Sequence, residues 1–444
     1  MLSFIPLFLG NDNVKVLAAP LLIIFAAIGI MALNIRRNVF FVASPNGLFF
    51  LYTTLSLAFG AWGHANEFVS VSSNLADYKS WQFMHVGLTM LMLSLSIVVA
   101  VDARAQPNYE ALLVPHNFKP TILPAVVSLA LVPFFFIPLD LQVLGGDGDL
   151  SIIPKTVFAM TFILYAAQFS SIKRWLFYAA LILLFASFSI HEKREAIFLM
   201  IPMLYLEWVL YPQRVTFRLF LFIFFSTLSL LFLIVTMSVA RGYGGSGEFD
   251  SLAAALPNVV AYMDSSTFMS GLLANIEVNY FFFHALNAIE MVMKDANFIS
   301  FGSTIIKPMM IFIPRDIAQW KPDSIISLYT TAHDPNIRSI GGSWPISLLS
   351  EFFWNFYFFA PILTVTLAII LSKLQIALLM AFKRNSFFKL SFLLFIYLHI
   401  LTLARGSGID QFLVYLILGG FFYVAIWIIT SCLHELFPRE TLNK

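Results

Sequence analysis

Three arginines stand beside long apolar segments, among small or polar residues. Arg194 lies in HEKREAIF, Arg241 in VARGYGG and Arg405 in LARGSGID. Arginine keeps its charge and presents a planar fork of donors that suits phosphate, and glycines let backbone N–H groups approach an anion. These residues predict an anion-binding site. The alternatives are solvated turns, a plain hairpin, or an arginine that extends to the membrane interface.

Two further motifs precede the last of these arginines. FIPRDIAQWKP (312–322) carries Arg315 and Lys321 between two prolines that restrict the backbone. HDPNIRSIGGSWPISLLSEFFWNF (333–356) adds Arg338 before a Gly-Gly-Ser turn. We interpret the first as a cradle for an anion or a sugar. An Arg–Asp pair beside an interfacial tryptophan is the alternative for the first motif.

Three side chains are candidates for a general base, which must lie within hydrogen-bond reach of the proton it accepts. They are His333, Asp334 and Glu351, and the sequence does not choose among them. Glu351 follows Pro345 by six residues, so we expect it about two turns inside a membrane span. A charge there costs about 2.5 kcal/mol or more and indicates function, although a structural salt bridge is the alternative.

Other kinds of site have little support in the sequence. The remaining histidines show no metal-binding spacing, and the single cysteine, Cys432, excludes a disulfide framework within the chain. The net charge of +2 comes with no basic stripe that would bind nucleic acid. We therefore predict no metal, no cofactor and no nucleic-acid partner.

The elements that must position these residues are membrane helices. Of the 444 residues, 60% are hydrophobic and 11% charged, and the mean hydropathy is +0.86, which is far from a soluble domain. A span needs about 20 mostly apolar residues. We predict an all-α polytopic protein, a single membrane domain over 1–444. Its eleven or so spans lie near 14–34, 46–63, 81–101, 121–140, 154–171, 175–190, 196–211, 218–239, 345–371, 387–404 and 409–432.

The distribution of lysine and arginine orients these spans. They are concentrated in alternate short connections, whereas 64–80 and 141–153 hold only Lys79 between them. The positive-inside rule then places the N-terminus outside and the C-terminus in the cytoplasm. It also places five arginines on the non-cytoplasmic face, where they fit a pyrophosphate on a lipid: Arg194, Arg241, Arg315, Arg338 and Arg405.

A long non-cytoplasmic segment, 241–344, separates the eighth and ninth spans. It is too apolar for a solvated linker, and 252–263, 266–293 and 304–314 are typical of helices at the membrane interface. Insertions of this length are uncommon unless they function as lids or binding elements. We expect the segment to form the lid and the glycan-binding side of the site.

The ordered set of motifs resembles the Wzy-type O-antigen polymerases, the oligosaccharide repeat-unit polymerases of bacterial inner membranes. The similarity rests on the two span-flanking arginines, IPR and KP in the loop, GGSWPISLLSEFFWNF, and LARGSGID. It covers about 190–420, and the first half matches by hydropathy alone. Ser350 stands where glycine is common in the family.

The resemblance implies a metal-independent glycosyltransferase with GT-C-like architecture and a partly helical periplasmic loop. The donor would be a glycan on undecaprenyl pyrophosphate, and the acceptor a single repeat unit on the same lipid. Whether a chain-length regulator protein also binds is left open. By position, Arg194, Arg241 and Arg405 match arginines near the pyrophosphate, while Arg315 and Lys321 match the basic loop motif. Arg338 and Asp410 complete the expected substrate-binding set.

Two rival functions remain. An O-antigen ligase would share the fold type and the donor but transfer the glycan to a lipid A core. A lipid-linked oligosaccharide flippase or transporter would line a path at mid-membrane with charges. The first six predicted spans are expected to hold almost no buried charge, which weighs against transport.

Overall fold

Every element in the described part of the chain is helical. The computed structural model describes residues 2–10, 18, 20–29, 43–65, 82–104, 122–137, 150–188, 198–210, 228–229, 232, 234–236, 238–240, 249, 252–265, 268, 272, 278–310, 313 and 317–436. In chain order the α-helices are α1 Pro20–Gly29, α2 Pro45–Ala65, α3 Met84–Arg104, α4 Leu123–Ser128, α5 Ile152–Ala166, α6 Ser171–Phe188, α7 Met200–Leu210, α8 Leu252–Met263, α9 Val278–Lys294, α10 Ser303–Ile306, α11 Ile325–His333, α12 Pro335–Ser339, α13 Leu348–Phe356, α14 Ala360–Lys383, α15 Phe387–Arg405 and α16 Ile409–Leu436. Short 3₁₀ helices lie at Leu2–Phe8, Leu129–Phe135, Ala296–Phe298, Lys307–Met310 and Tyr357–Phe359.

The longest helices are suited to a bilayer. Among the described residues, four stretches are long and apolar enough to cross a membrane: Met84–Arg104, Leu348–Lys383, Phe387–Arg405 and Ile409–Leu436. On α16 the large side chains of Phe421, Val424, Trp427 and Ile428 are exposed. Such a face is costly in water and favourable against lipid. The count of about eleven spans and the GT-C-like arrangement stay predictions.

The predicted ninth span, 345–371, is two helices. α13 ends at Phe356, and Tyr357 has a φ of 53°, a left-handed value that an α-helix cannot contain. The chain resumes as α14, whose 24 residues extend about 36 Å at the usual rise. That length exceeds the ~30 Å of hydrocarbon. Glu351 therefore lies on a short helix that precedes one able to cross by itself.

The segment 241–344 contains helices where the sequence predicts them and also where it does not. α8 coincides with the predicted 252–263, α9 overlaps 266–293 and ends one residue beyond it, and α10 begins one residue before 304–314. α11 and α12 were not predicted. α9 packs against α2 and α3, and its Glu290 carboxylate accepts hydrogen bonds from the backbone N–H groups of Gln82 and Phe83, both at 2.8 Å. It thereby satisfies free donors at the start of α3.

Close side-chain packing also holds α9 against α2 and α3. A Cβ placed on Gly87 of α3 would lie 3.1 Å from the Leu286 side chain. The rings of Phe283 and His64, which belong to α9 and the end of α2, stack at 5.8 Å. The end of α2, the start of α3 and α9 therefore lie together.

The expectation of almost no buried charge in the first six spans needs correction mainly at the span ends, since Lys155 lies within the fifth predicted span while Asp102 and Arg174 lie one residue outside the third and the sixth. Asp102 of α3, Lys155 of α5 and Arg174 of α6 are all buried. Arg174, which the sequence assigned to a cytoplasmic connection, forms a bidentate ion pair with Glu207 of α7. Buried charges persist when they are paired, so this pair accounts for the arginine without a ligand.

Candidate functional site

Two distant motifs meet at the turn between α15 and α16. The Ile346 N–H donates to the Gly406 carbonyl oxygen at 3.2 Å. Gly406 has a φ of +96°, and a Cβ there would lie 2.3 Å from the Ile346 carbonyl oxygen. A side chain would be both strained and in collision with backbone. The glycine in LARGSGID thus allows the turn to press against the segment that leads into α13.

Glu351 is completely buried on α13 and caps α16. Its Oε2 accepts from the Ile409 N–H at 2.9 Å, and its Oε1 accepts from the Thr304 hydroxyl at 3.2 Å. The Asn355 amide donates in turn to Thr304 Oγ1 at 2.8 Å. A carboxyl oxygen at a helix N-terminus satisfies an N–H group that has no partner within the helix. The contacts of Glu351 are therefore those of a structural anchor.

Asp410 lies in the first turn of α16 and pairs with a lysine from the long segment. Its Oδ2 lies 2.9 Å from Lys307 Nζ, and the two side chains are 5% and 13% exposed. Together with Thr304, Glu351 and Asn355 they form what we name the carboxylate cluster. It ties the 303–310 segment to α13 and to the start of α16. The substrate-binding role expected for Asp410 competes with this ion pair.

A second group, the histidine cluster, joins α9, α11 and the segment before α13. His284 Nδ1 lies 2.7 Å from the Tyr329 hydroxyl. The Asn287 amide nitrogen lies 3.0 Å from that hydroxyl and 3.0 Å from His333 Nδ1. The His284 ring stacks on Trp344 at 4.7 Å, and the Tyr329 and His333 rings stack at 5.5 Å. One hydrogen-bonded chain thus links the two imidazoles through Asn287 and Tyr329.

Burial sets the protonation of this cluster. Desolvation lowers the pKa of His333, and the nearby charge of Asp334 partly offsets that shift. The pKa of the fully buried His284 falls well below its usual range for the same first reason, while burial raises the pKa of Tyr329. All three groups are therefore neutral near pH 7. His333 is half-buried and has the character required of a proton acceptor.

Asp334 and Arg338 belong to the short helix α12. The Asp334 side chain caps it by accepting from the Ile337 N–H at 3.2 Å, and Asp334 is buried. Arg338 is half-buried in the last turn of α12. Asp334 therefore acts locally as a helix cap, and it influences His333 through its charge.

The two clusters adjoin through their framework. The Ser350 hydroxyl of α13 donates to the Ala285 carbonyl oxygen of α9 at 2.8 Å. The rings of Tyr329 and Trp354 meet edge to face at 5.8 Å. The α9–α11–α13 framework therefore places His333 and the carboxylate cluster in one contiguous region.

The structure describes only some of the remaining candidate residues. Arg405 ends α15 beside the glycine turn and is half-buried. Lys321 is buried, and its Nζ donates to the Ile313 carbonyl oxygen at 3.3 Å, within its own segment. Arg194, Arg241 and Arg315 lie outside the described residues. The structure thus relates Arg405 to Glu351 and Asp410 through the turn, whereas the full arginine set stays a prediction.

Sequence reasoning missed four residues of the region: Asn287, Tyr329, His284 and Lys307 do not stand in any motif. Asn287 and Tyr329 stand 42 positions apart, so their contact has no local signal. The spacing of His284 and Asn287, three residues apart on one helical face, was the available hint.

Comparison of the chain with family models, curated proteins and solved structures finds no match. In the described part of the chain, no group of three or more His, Cys, Asp or Glu side chains is arranged to hold a metal ion. What the fold defines is a class: the chain is a helical membrane protein, with long apolar helices suited to a lipid bilayer.

Proposed function

We propose that this protein polymerises oligosaccharide repeat units carried on undecaprenyl pyrophosphate, as a metal-independent glycosyltransferase at the periplasmic face of the bacterial inner membrane. One observation carries the proposal. The segments that resemble repeat-unit polymerases, which are His333 to Glu351 and Arg405 to Asp410, pack together at one end of the bundle through the Ile346–Gly406 contact.

The chemistry of such a transfer suits the residues of this region. Pyrophosphate leaving an anomeric carbon needs fixed positive charge in the transition state. Arg405 ends α15 at the glycine turn, and Lys307 pairs with Asp410 in the first turn of the helix that follows that turn. The attacking sugar hydroxyl needs a base. Of the three candidates, His333 is neutral and has the least buried side chain. Glu351 and Asp334 already serve as helix caps.

Gene deletion in the producing bacterium tests the function directly. A polymerase mutant should keep surface lipid bearing a single repeat unit, seen as a core-plus-one band on gels. Complete loss of surface glycan would favour a ligase or a flippase, and unchanged chain lengths would exclude polymerisation. His333→Gln and Arg405→Ala should each reproduce the core-plus-one band while the protein remains in the membrane.

Purified protein provides the second test. In proteoliposomes containing undecaprenyl-pyrophosphate-linked repeat units, we expect longer lipid-linked glycans to form. One molecule of undecaprenyl pyrophosphate should be released for each new glycosidic linkage. Addition of EDTA should leave the rate unchanged if the reaction needs no metal. Formation of product only when lipid A core is supplied would identify a ligase.

One observation favours the transporter alternative. The Asn46 amide donates to Asp102 at 2.9 Å and to Ser372 at 2.8 Å, so α2, α3 and α14 share a buried polar contact. Charges among membrane helices mark transport paths in many carriers. Deletion of a transporter would leave lipid-linked repeat units on the cytoplasmic side of the membrane. A glycan-oxidising reagent that does not cross the membrane would then fail to label them in intact spheroplasts, whereas repeat units on the periplasmic side would be labelled.

A further inference from the structure

We propose that Asn287 and Tyr329 are positioning residues that select the tautomer of His333, and with it the ability of the His333 ring to accept a proton from an acceptor sugar. The inference rests on the proposed function for its chemistry. The hydrogen-bonded chain that carries it runs from His284 through Tyr329 and Asn287 to His333.

The burial of this chain makes its hydrogen bonds decisive. His284 and Tyr329 are fully buried, and Asn287 is 7% exposed. In such surroundings an amide or hydroxyl that lacks a hydrogen-bond partner destabilises the fold, because water cannot replace the missing partner. His333 joins the chain through Nδ1, while its Nε2 has no hydrogen bond to the described residues. Since the ring is half-buried, Nε2 is the atom that an incoming group meets.

One direction of the chain makes His333 a proton donor. The Asn287 amide nitrogen donates to both Tyr329 Oη and His333 Nδ1, and the tyrosine then donates its own proton to His284 Nδ1. With Nδ1 accepting, a neutral His333 must carry its proton on Nε2. In this arrangement Nε2 can give a proton but cannot take one.

The opposite direction makes His333 a base. Turning the Asn287 amide by half a rotation presents its oxygen to His333 and Tyr329. His333 then carries its proton on Nδ1, tyrosine donates to the amide oxygen, and His284 Nδ1–H donates to tyrosine. No proton is gained or lost. Because Tyr329 can donate only one hydrogen, the orientation of one amide fixes the tautomers of both histidines.

The base-ready direction supplies a balanced transfer step. The lone pair of His333 Nε2 takes the proton of the acceptor hydroxyl as that oxygen bonds to the donor's anomeric carbon. The bond from this carbon to the pyrophosphate oxygen breaks, and the electron pair leaves with undecaprenyl pyrophosphate. The imidazolium then releases its proton to water. Oxidation states do not change, and no further reactant is needed.

The titratable groups around His333 come from each neighbouring helix. They are His284 from α9, Tyr329 from α11 and Asp334 at the start of α12, and His64 of α2 acts in turn on His284. Asp334 is the one carboxylate among these four groups. A change in tautomer through Asn287 is therefore separable from a change in charge through Asp334.

Asn287→Leu tests the inference because leucine has similar volume and no amide. We expect kcat for polymerisation to fall about 10- to 100-fold while KM changes less than about threefold, since general-base catalysis contributes on the order of 10²–10⁴. Asn287→Asp, whose carboxylate can only accept, should retain at least about ten times the activity of the leucine variant. The acid limb of its pH profile should also move to higher pH. The control is Asn297→Leu, at an exposed asparagine, and should match wild type.

The tautomer can be read without any activity. Solid-state ¹⁵N NMR of histidine-labelled protein in lipid separates protonated from unprotonated Nδ1, and His333→Gln identifies the His333 signals. Asn287→Leu should shift the wild-type tautomer ratio of His333, and Tyr329→Phe, which keeps the ring stack, should shift it in the same sense. Unchanged ratios in both variants, or full kcat in Asn287→Leu, overturn the inference. The predicted shift in a protein without polymerase activity would overturn the proposed function instead.

Discussion

Lys307 Nζ and the Asp410 carboxylate lie 2.9 Å apart although 103 positions separate them in sequence. The pair joins the long segment between the predicted eighth and ninth spans to the first turn of the last helix. Its lysine is one of several cations in that segment, and its aspartate was expected to bind substrate.

Breaking this pair should destabilise the protein. Asp410→Leu leaves a largely buried ammonium uncompensated, at a cost of about 3 kcal/mol, whereas the double variant Lys307→Met/Asp410→Leu should return close to wild type. Denaturant unfolding in detergent measures both. Lys294→Met is the control, since Lys294 is 44% exposed in its pair with Glu290 and should cost no more than about 0.5 kcal/mol. Equal losses for single and double variants would show that the pair is not coupled.

Glu351→Gln separates capping from proton transfer. The glutamine amide oxygen can still accept from the Ile409 N–H, so folding and most of the polymerase activity should be retained. Glu351→Ala should lose about 2 kcal/mol, because it leaves buried donors unsatisfied. Activity assays and thermal unfolding of the two variants are compared. A folded but inactive Glu351→Gln protein would contradict the anchoring role and restore Glu351 as a candidate base.

Gly406 and Gly341 form a matched pair for the turn. Both have positive φ values, +96° and +81°, but nothing lies within 4 Å of a Cβ on Gly341. Gly341→Ala should therefore cost only the left-handed strain of about 1 kcal/mol. Gly406→Ala should cost roughly 2 kcal/mol more, because its methyl group collides with Ile346. Unfolding midpoints give the comparison, and similar values would rule out the tight approach.

The pH dependence of polymerisation should depend on Asp334. If neutral His333 accepts the proton, the rate falls as pH drops through its pKa, which burial holds below 6.5 and Asp334 partly raises. Asp334→Asn removes the charge but keeps a good helix cap. The pKa then falls further, so activity should persist to lower pH. A profile of kcat/KM against pH measures the acid limb, and a limb that stays in place would argue against His333 as the base.

Features of the fold that depend on neighbouring residues in sequence were predicted correctly, and features that depend on distant contacts or on single backbone angles were not. The last two spans, predicted at 387–404 and 409–432, are Phe387–Arg405 and Ile409–Leu436, because apolar length and a glycine turn are local signals. The break at Tyr357 was not predicted, since the residues around it, FYFFAPIL (356–363), are all apolar or aromatic. Hydropathy reports burial and carries no information on a single backbone angle.

The candidate site was harder to predict because its contacts are made by packing. The motif residues His333, Glu351 and Asp410 do lie near one end of the bundle, yet the partners of Glu351 come from Thr304 and Ile409. Sequence identified polar residues in apolar surroundings. It could not say that Glu351 is enclosed and that His333 is not, since that difference depends on three helices from separate parts of the chain.

The attachment of α9 to the bundle limits how far the long segment 241–344 can move as a unit. The Glu290 carboxylate accepts from the N–H groups of Gln82 and Phe83, just before α3, and Leu286 packs against Gly87, so α9 is fixed to the bundle. Lys307, later in the segment, is fixed to α16 by its ion pair with Asp410. The segment is therefore anchored at two points within its length, and ordering the shorter lengths of chain between anchors costs less entropy than closing one loop of about 100 residues.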